Sequence, residues 1–183
     1  MTSYPGVLVP RVHSFPPIAR SDATVLILGS MPGVASLEAA RYYAHPRNAF
    51  WDVMDALVGA SRDVPYETRL EHLQNAGIAV WDVLRSAERE GSLDSAILNP
   101  VPNDLLGLLE TCPHIGLIAT NGSFASSAFK RLAWVELRMA RAGLRWVALP
   151  STSPANARMT LERKIAVWRE ALESAVVQGR VKR

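Results

Sequence analysis

Thr24-Val-Leu-Ile-Leu28, running directly into Gly29-Ser-Met-Pro-Gly33, is the stretch that decides how this chain folds. The apolar run is continuous rather than alternating, the pattern of a strand covered on both faces. Two glycines and a proline follow at once, so a loop leaves from the strand's carboxyl end. In open α/β sheets ligands bind along that edge. Glycine there lets backbone approach a ligand with no side chain in the way.

Three more apolar runs have the same character, at residues 78–81, 115–119 and 146–149. Helical patterns lie between them at 49–58, 103–110 and 124–142. Leu161, Ile165, Trp168, Leu172 and Val176, three and four apart, mark a last amphipathic helix. Strands alternating with helices predict an α/β fold, a three-layer α/β/α sandwich around a four-stranded parallel sheet. No repeat, low-complexity tract or linker interrupts the pattern, so residues 1–183 read as a single domain. Residues 1–14 and 179–183 read as loosely held ends, and the proline-rich 10–17 as extended chain over the surface. Gly91-Ser-Leu-Asp-Ser-Ala-Ile97 carries mixed turn and helix signals. Asn99-Pro-Val-Pro-Asn103 reads as a loop leading into a helix capped by Asn103 or Asp104.

With 49% hydrophobic residues the 183-residue chain can build a sizeable core. No apolar run is long enough to span a bilayer and the N-terminus lacks a signal pattern, so a cytoplasmic protein is expected. A single cysteine, Cys112, excludes an internal disulfide and a cysteine-held cluster, and reads as a small apolar residue near a helix end. Twenty basic against 17 acidic residues give +3, which permits nucleic-acid binding without identifying it. GxxxxGK[ST], GxGxxG and GxSxG patterns are absent, which argues against a nucleotide hydrolase using the glycine loop for phosphate.

Two further stretches carry chemistry: Tyr42-Tyr-Ala-His-Pro-Arg-Asn-Ala-Phe-Trp51 and Leu149-Pro-Ser-Thr-Ser-Pro-Ala-Asn156. With Gly29–Gly33, in this order and spacing, they resemble the uracil-DNA glycosylase superfamily, most closely its hypoxanthine-DNA glycosylase branch. The likeness runs from about residue 14 to about residue 172. It implies the same layered fold and a monofunctional DNA glycosylase of base excision repair. The expected substrates are deaminated bases in DNA, hypoxanthine first, with uracil and xanthine as further candidates. No cofactor, metal or iron–sulfur cluster is expected, and the protein is expected to be a monomer. The competing expectation is a non-catalytic binder of damaged DNA that kept the base pocket.

The resemblance also assigns roles. Gly29, Ser30, Met31, Pro32 and Gly33 would line the pocket for a base extruded from the stack. Most members place an Asn or Asp at the position of Met31 to handle the attacking water, which a thioether cannot do. Tyr43 matches the aromatic that stacks on the base, with Tyr42 the alternative. Asn48 would hold the water in place of the missing group, or else cap the following helix. Asn121 would read the base edge, or else form a turn with Gly122. Leu149 stands where uracil enzymes often carry a His or Asn, so leaving-group stabilisation must come from elsewhere.

Ser151, Thr152 and Ser153 would hold phosphates. Asn156 and Arg158 would enter the duplex or hold phosphates, or else cap a helix and sit in solvent. His45, extended before Pro46, would organise the loop or reach a phosphate; no other histidine lies at metal-ligand spacing from it. Arg47 would contact a phosphate or solvent. Lys130, Lys164 and Lys182 lie outside these motifs, so no amine is placed for lyase chemistry and an intact abasic site is the expected product.

Overall fold

The computed structural model describes residues 9–176. In chain order the elements are β1 (Arg11–His13), β2 (Val25–Gly29), α1 (Val34–Ala39), α2 (Phe50–Val58), α3 (Tyr66–Asn75), β3 (Ile78–Asp82) and β4 (Leu84–Glu88). A 3-10 turn at Asp94–Ala96 leads to β5 (Leu98–Pro102), α4 (Leu105–Thr111), β6 (Leu117–Asn121) and α5 (Ser123–Phe129). A π-helical segment (Lys130–Trp134), α6 (Val135–Ala140), β7 (Arg145–Leu149) and α7 (Leu161–Leu172) complete the order.

The main sheet is parallel, in the order β3-β2-β6-β7. Its side chains alternate between two cores, as a strand's period of two demands. Val25 and Ile27 face one core with Phe50, Trp51, Met54, Trp168 and Leu172. Leu26 and Leu28 face the other with Leu105, Ile118, Phe129 and Leu137. All four of these β2 side chains are fully buried. Burying each contributes about 1.5–3 kcal/mol. The continuous apolar run therefore means what its pattern implied, a central strand covered on both sides.

A small antiparallel sheet, ordered β1-β4-β5, stands beside the main one. It corrects two sequence expectations. Residues 11–13 are paired rather than loose, Arg11 to His13 against Glu88 to Ser86. The residues before 9 and the 179–183 end lie outside the described residues. Asn99-Pro-Val-Pro-Asn103 is largely strand, not loop. Prolines 100 and 102 are tolerated because β5 is an edge strand that pairs with β4 alone, through a ladder with register shifts.

Three boundaries also moved. The third strand runs 117–121 rather than 115–119, so Asn121 is its last residue. The helix expected at 124–142 spans 123–140 with a π-helical insertion in its middle. The last helix ends at Leu172, short of Val176. Asp104, not Asn103, caps α4: it accepts from Gly107 N at 2.9 Å. Asn103 instead donates its side-chain amide to the Asp82 carbonyl at 2.9 Å. Cys112 is buried at the end of α4.

Candidate functional site

The carboxyl ends of the four parallel strands, Gly29, Asp82, Asn121 and Leu149, form one edge, with Gly29 paired to Asp82 and Asn121 to Leu149. The glycine loop is fixed there along its length. Val83 N donates to Gly29 O at 2.8 Å and Leu84 N to Ser30 O at 3.2 Å. Ser30 Oγ donates to Asp94 Oδ1 at 2.6 Å, and Val34 N to Ser92 Oγ at 2.9 Å. The Arg89 guanidinium donates to the Pro32 carbonyl. Met31 points inward, its side chain buried in the core shared by Leu26 and Leu28, so backbone alone represents position 31 at the edge.

Gly29 is required by its neighbours. A Cβ there would lie 2.6 Å from Asp82 Oδ1 and 3.2 Å from Tyr43 Oη. The space a side chain would fill is thus occupied by a carboxyl and a phenol. Tyr43 reaches this point with φ of 54°, a left-handed conformation that a tyrosine seldom adopts. Such strain persists where surrounding contacts over-determine it. Here the ring stacks on Phe50, centroids 3.7 Å apart and planes 12° apart, and Asn121 Nδ2 donates to its hydroxyl at 3.3 Å. The Tyr42 ring is buried in the second core, and the Tyr42 carbonyl accepts from Trp51 Nε1.

Asn121 is not a turn residue but a clamp between loops. Its Oδ1 accepts from Thr152 N at 2.9 Å, and its Nδ2 donates to Thr152 Oγ1 at 2.9 Å as well as to Tyr43. Thr152, expected against phosphate, is therefore buried, its hydroxyl engaged by Asn121. Gly122 follows with φ of 100°, and a Cβ on it would come 2.9 Å from Ser151 Cβ. The last-strand loop lies that close to the end of β6.

His45, Pro46, Arg47 and Asn48 form one turn: Asn48 N donates to His45 O at 2.9 Å, with proline at the second position where its fixed φ suits. His45 Nδ1 accepts from Arg47 N at 3.1 Å, so the imidazole organises the turn. Asn48 Oδ1 accepts from Phe50 N at 3.0 Å, at the start of α2. The Asn48 carbonyl accepts from the Arg62 guanidinium, itself paired with Asp52 at 3.0 Å. Ala49 N donates to Thr152 O at 2.9 Å, which joins this turn to the last-strand loop. Arg47 is exposed.

In that last loop, Ser151 Oγ accepts from Ser153 N at 3.1 Å and Ser153 Oγ from Ala155 N at 3.3 Å. Both hydroxyls accept from the loop and keep a proton to donate outward. Asn156 Nδ2 donates to Ser151 O at 3.1 Å, a loop brace, while Arg158 is exposed. Lys164 is buried beneath, its Nζ donating to Asn156 O at 3.0 Å, and burial lowers its pKa. Leu149 is buried in the second core.

Sequence reasoning missed the charged layer under the glycine loop. Asp82 is buried, accepts from Ser14 Oγ at 2.7 Å, and has its pKa pushed up to about 7 by desolvation. Asp94 is pushed up by the same cause. Arg89, fully buried, acts on both carboxyls, and its Nε and Nη1 have no hydrogen-bond partner. Burial lowers the Arg89 pKa. The available signal was a carboxylate directly after the apolar run Ile78-Ala-Val-Trp81, where a buried strand ends. No group of three His, Cys, Asp or Glu among the described residues could hold a metal, and no helix there is long and apolar enough to cross a membrane.

A family model of the uracil DNA glycosylase superfamily matches residues 16–173, which include every element from β2 to α7. The chain belongs to that superfamily. Among its relatives are a hypoxanthine DNA glycosylase of Methanosarcina barkeri, 33% identical over 89% of this chain and 99% of the relative, and one of Methanosarcina acetivorans, 35% identical over 83% and 92%. A solution NMR structure from Methanosarcina acetivorans, described as a candidate uracil DNA glycosylase, has 34% identity and a TM-score of 0.72. It covers 88% of this chain and 99% of its own. Within this superfamily member, Asn121 joins the 42–51 and 149–156 stretches through Tyr43 and Thr152, and Tyr43 Oη brings them to the glycine stretch, 3.2 Å from the point a Gly29 Cβ would take.

Proposed function

We propose that this chain is a monofunctional DNA glycosylase that hydrolyses the N-glycosidic bond of deaminated nucleotides, hypoxanthine first. The observation that carries the reading is the end-to-end similarity to two proteins named hypoxanthine DNA glycosylase. The site geometry supports it. Phe50 covers one face of the Tyr43 ring, so the extruded base stacks on the other, over the backbone of Gly29 to Gly33. Stacking of this kind contributes about 1–3 kcal/mol and tolerates different bases.

Asn48 is the water-holding residue. Phe50 N fixes its Oδ1, and a carbonyl oxygen has a second lone pair that accepts a hydrogen bond from the attacking water. Bracing the start of α2 and water placement are then one geometry rather than rival roles. The C1′–N9 bond breaks with its electron pair passing to the purine; water adds its oxygen to C1′ and its proton ends on the released base. Ser151, Ser153, His45, Arg47 and Arg158 face the DNA backbone, whereas Asn121 and Thr152 act from beneath by holding the loops together. Uracil and xanthine share a lactam edge with hypoxanthine and are further candidate substrates.

Because Met31 and Leu149 bring no polar group to the edge, a damaged-DNA binder without catalysis is the second reading. Incubation with duplexes carrying single inosine, deoxyuridine or deoxyxanthosine, scored for abasic sites, separates the two. Abasic sites at inosine support the enzyme. Inosine-selective binding with no base release replaces it with the binder.

A further inference from the structure

Asp82 has no role in the reading above, yet it stands at the edge directly beside the pocket glycine. It ends β3 opposite Gly29, and its Oδ1 lies 2.6 Å from the point a Gly29 Cβ would take, a point 3.2 Å from Tyr43 Oη. The backbone around it is fixed: Asn103 Nδ2 holds the Asp82 carbonyl, and Val83 N holds Gly29 O. Its other oxygen accepts from Ser14 Oγ. A carboxyl, a phenol and the pocket glycine thus converge on one buried spot. Tyr42 and Tyr43, from the segment before α2, add to the field there. So do Arg89 at the end of β4 and Asp94 in the 3-10 turn.

We propose that Asp82 is a positioning residue of the base pocket, whose neutral form supports base release and whose ionised form opposes it. The inference rests on the glycosylase reading. A departing purine gathers negative charge, and preorganised groups that favour that charge lower the barrier. An ionised carboxylate beside the stacking tyrosine works against it in a medium that screens poorly. The two positions that could offset this carry Met31 and Leu149, both apolar and buried. The neutral carboxyl leaves the Tyr43 hydroxyl and the glycine backbone in place without the opposing charge. Burial pushes the Asp82 carboxyl up to about 7, so the changeover lies near neutral pH.

The test is single-turnover release of hypoxanthine from inosine duplex between about pH 6 and 8.5, for the wild type and Asp82→Asn, with melting temperature followed at each pH. An acid of pKa about 7 loses its neutral form about thirtyfold across that range. The wild-type rate is expected to fall accordingly, and Asp82→Asn, neutral throughout, to vary less than about threefold. A merely structural Asp82 leaves both profiles parallel. Parallel profiles with active wild type overturn the Asp82 assignment alone, whereas absence of release by the wild type at every pH overturns the glycosylase reading and this one with it. An NMR titration of the Gly29 amide in the free protein checks the coupling without activity. A midpoint near pH 7 that disappears in Asp82→Asn supports the assignment, and its absence overturns it.

Discussion

Replacing Asp82 by Asn should change how stability depends on pH, whatever the protein's function. The carboxyl has an ordinary value of 3.8 when unfolded and about 7 when folded, because burial penalises its charged form. Between those values the folded chain holds a proton that the unfolded chain has released, so stability falls as pH rises. The loss begins near the unfolded value and is complete above the folded one. At about 1.4 kcal/mol per tenfold change, the full cost is about 4 kcal/mol, of which about 3 falls between about pH 4.5 and 7.5. Asn has nearly the same shape and can still accept from Ser14, but does not titrate. Urea denaturation of both proteins at several pH values gives the difference directly. The wild type should lose stability relative to Asp82→Asn as pH rises, levelling off above about pH 8. A difference constant to within about 0.5 kcal/mol from pH 4.5 to 7.5 would refute the buried, desolvated carboxyl.

Asn48→Ala should slow single-turnover base release about a hundredfold or more. It should also remove the bond to Phe50 N at a cost of about 0.5–2 kcal/mol, and Asn48→Ser should restore stability but not rate. Recovery of rate along with the cap would show Asn48 to be structural. Tyr43→Phe should keep most of the affinity for inosine duplex and lose only the bond from Asn121, whereas Tyr43→Ala should weaken both binding and release. Equal behaviour of the two in a binding titration would remove the stacking role. Base release should leave the strand intact until alkali or heat is applied, since Lys164 is buried beneath the last loop. Borohydride trapping of a protein–DNA adduct is the contrary result.

The four parallel strands and the helices α2, α4, α5–α6 and α7 were legible because their signal is local, whereas α1 and α3 were not read from the sequence. A continuous apolar run, or one repeating every three to four residues, is written within a few neighbouring residues. Val25 to Leu28 and the α7 residues Leu161 to Leu172 needed no knowledge of the rest of the chain. Residues 29–33 and 149–156 pointed to one sheet edge for the same reason, since each stretch leaves a strand's carboxyl end, whereas 42–51 runs from beyond α1 into α2 and reaches that edge through Tyr43. What they could not show is which side chains face one another. The bonds of Asn121 to Thr152 and Tyr43 join residues 31 and 78 positions apart, so the residue that could have formed a turn instead ends β6 and clamps two loops.

Pro100 and Pro102 read as breakers until β5 proved to be an edge strand, a property of its neighbours rather than of its sequence. Arg89 looks in the sequence like an ordinary surface charge, and Asp82 is marked only by following an apolar run. Only the closed chain buries them, Asp82 against Ser14, Gly29 and the tyrosines and Arg89 under Pro32, and burial is what raises the Asp82 pKa. Local pattern therefore determined the four parallel strands and the helices α2, α4, α5–α6 and α7. Tertiary structure alone decided the charge and the hydrogen-bond partners at the carboxyl edge of the sheet, because solvation and long-range contact exist only once the chain has closed on itself.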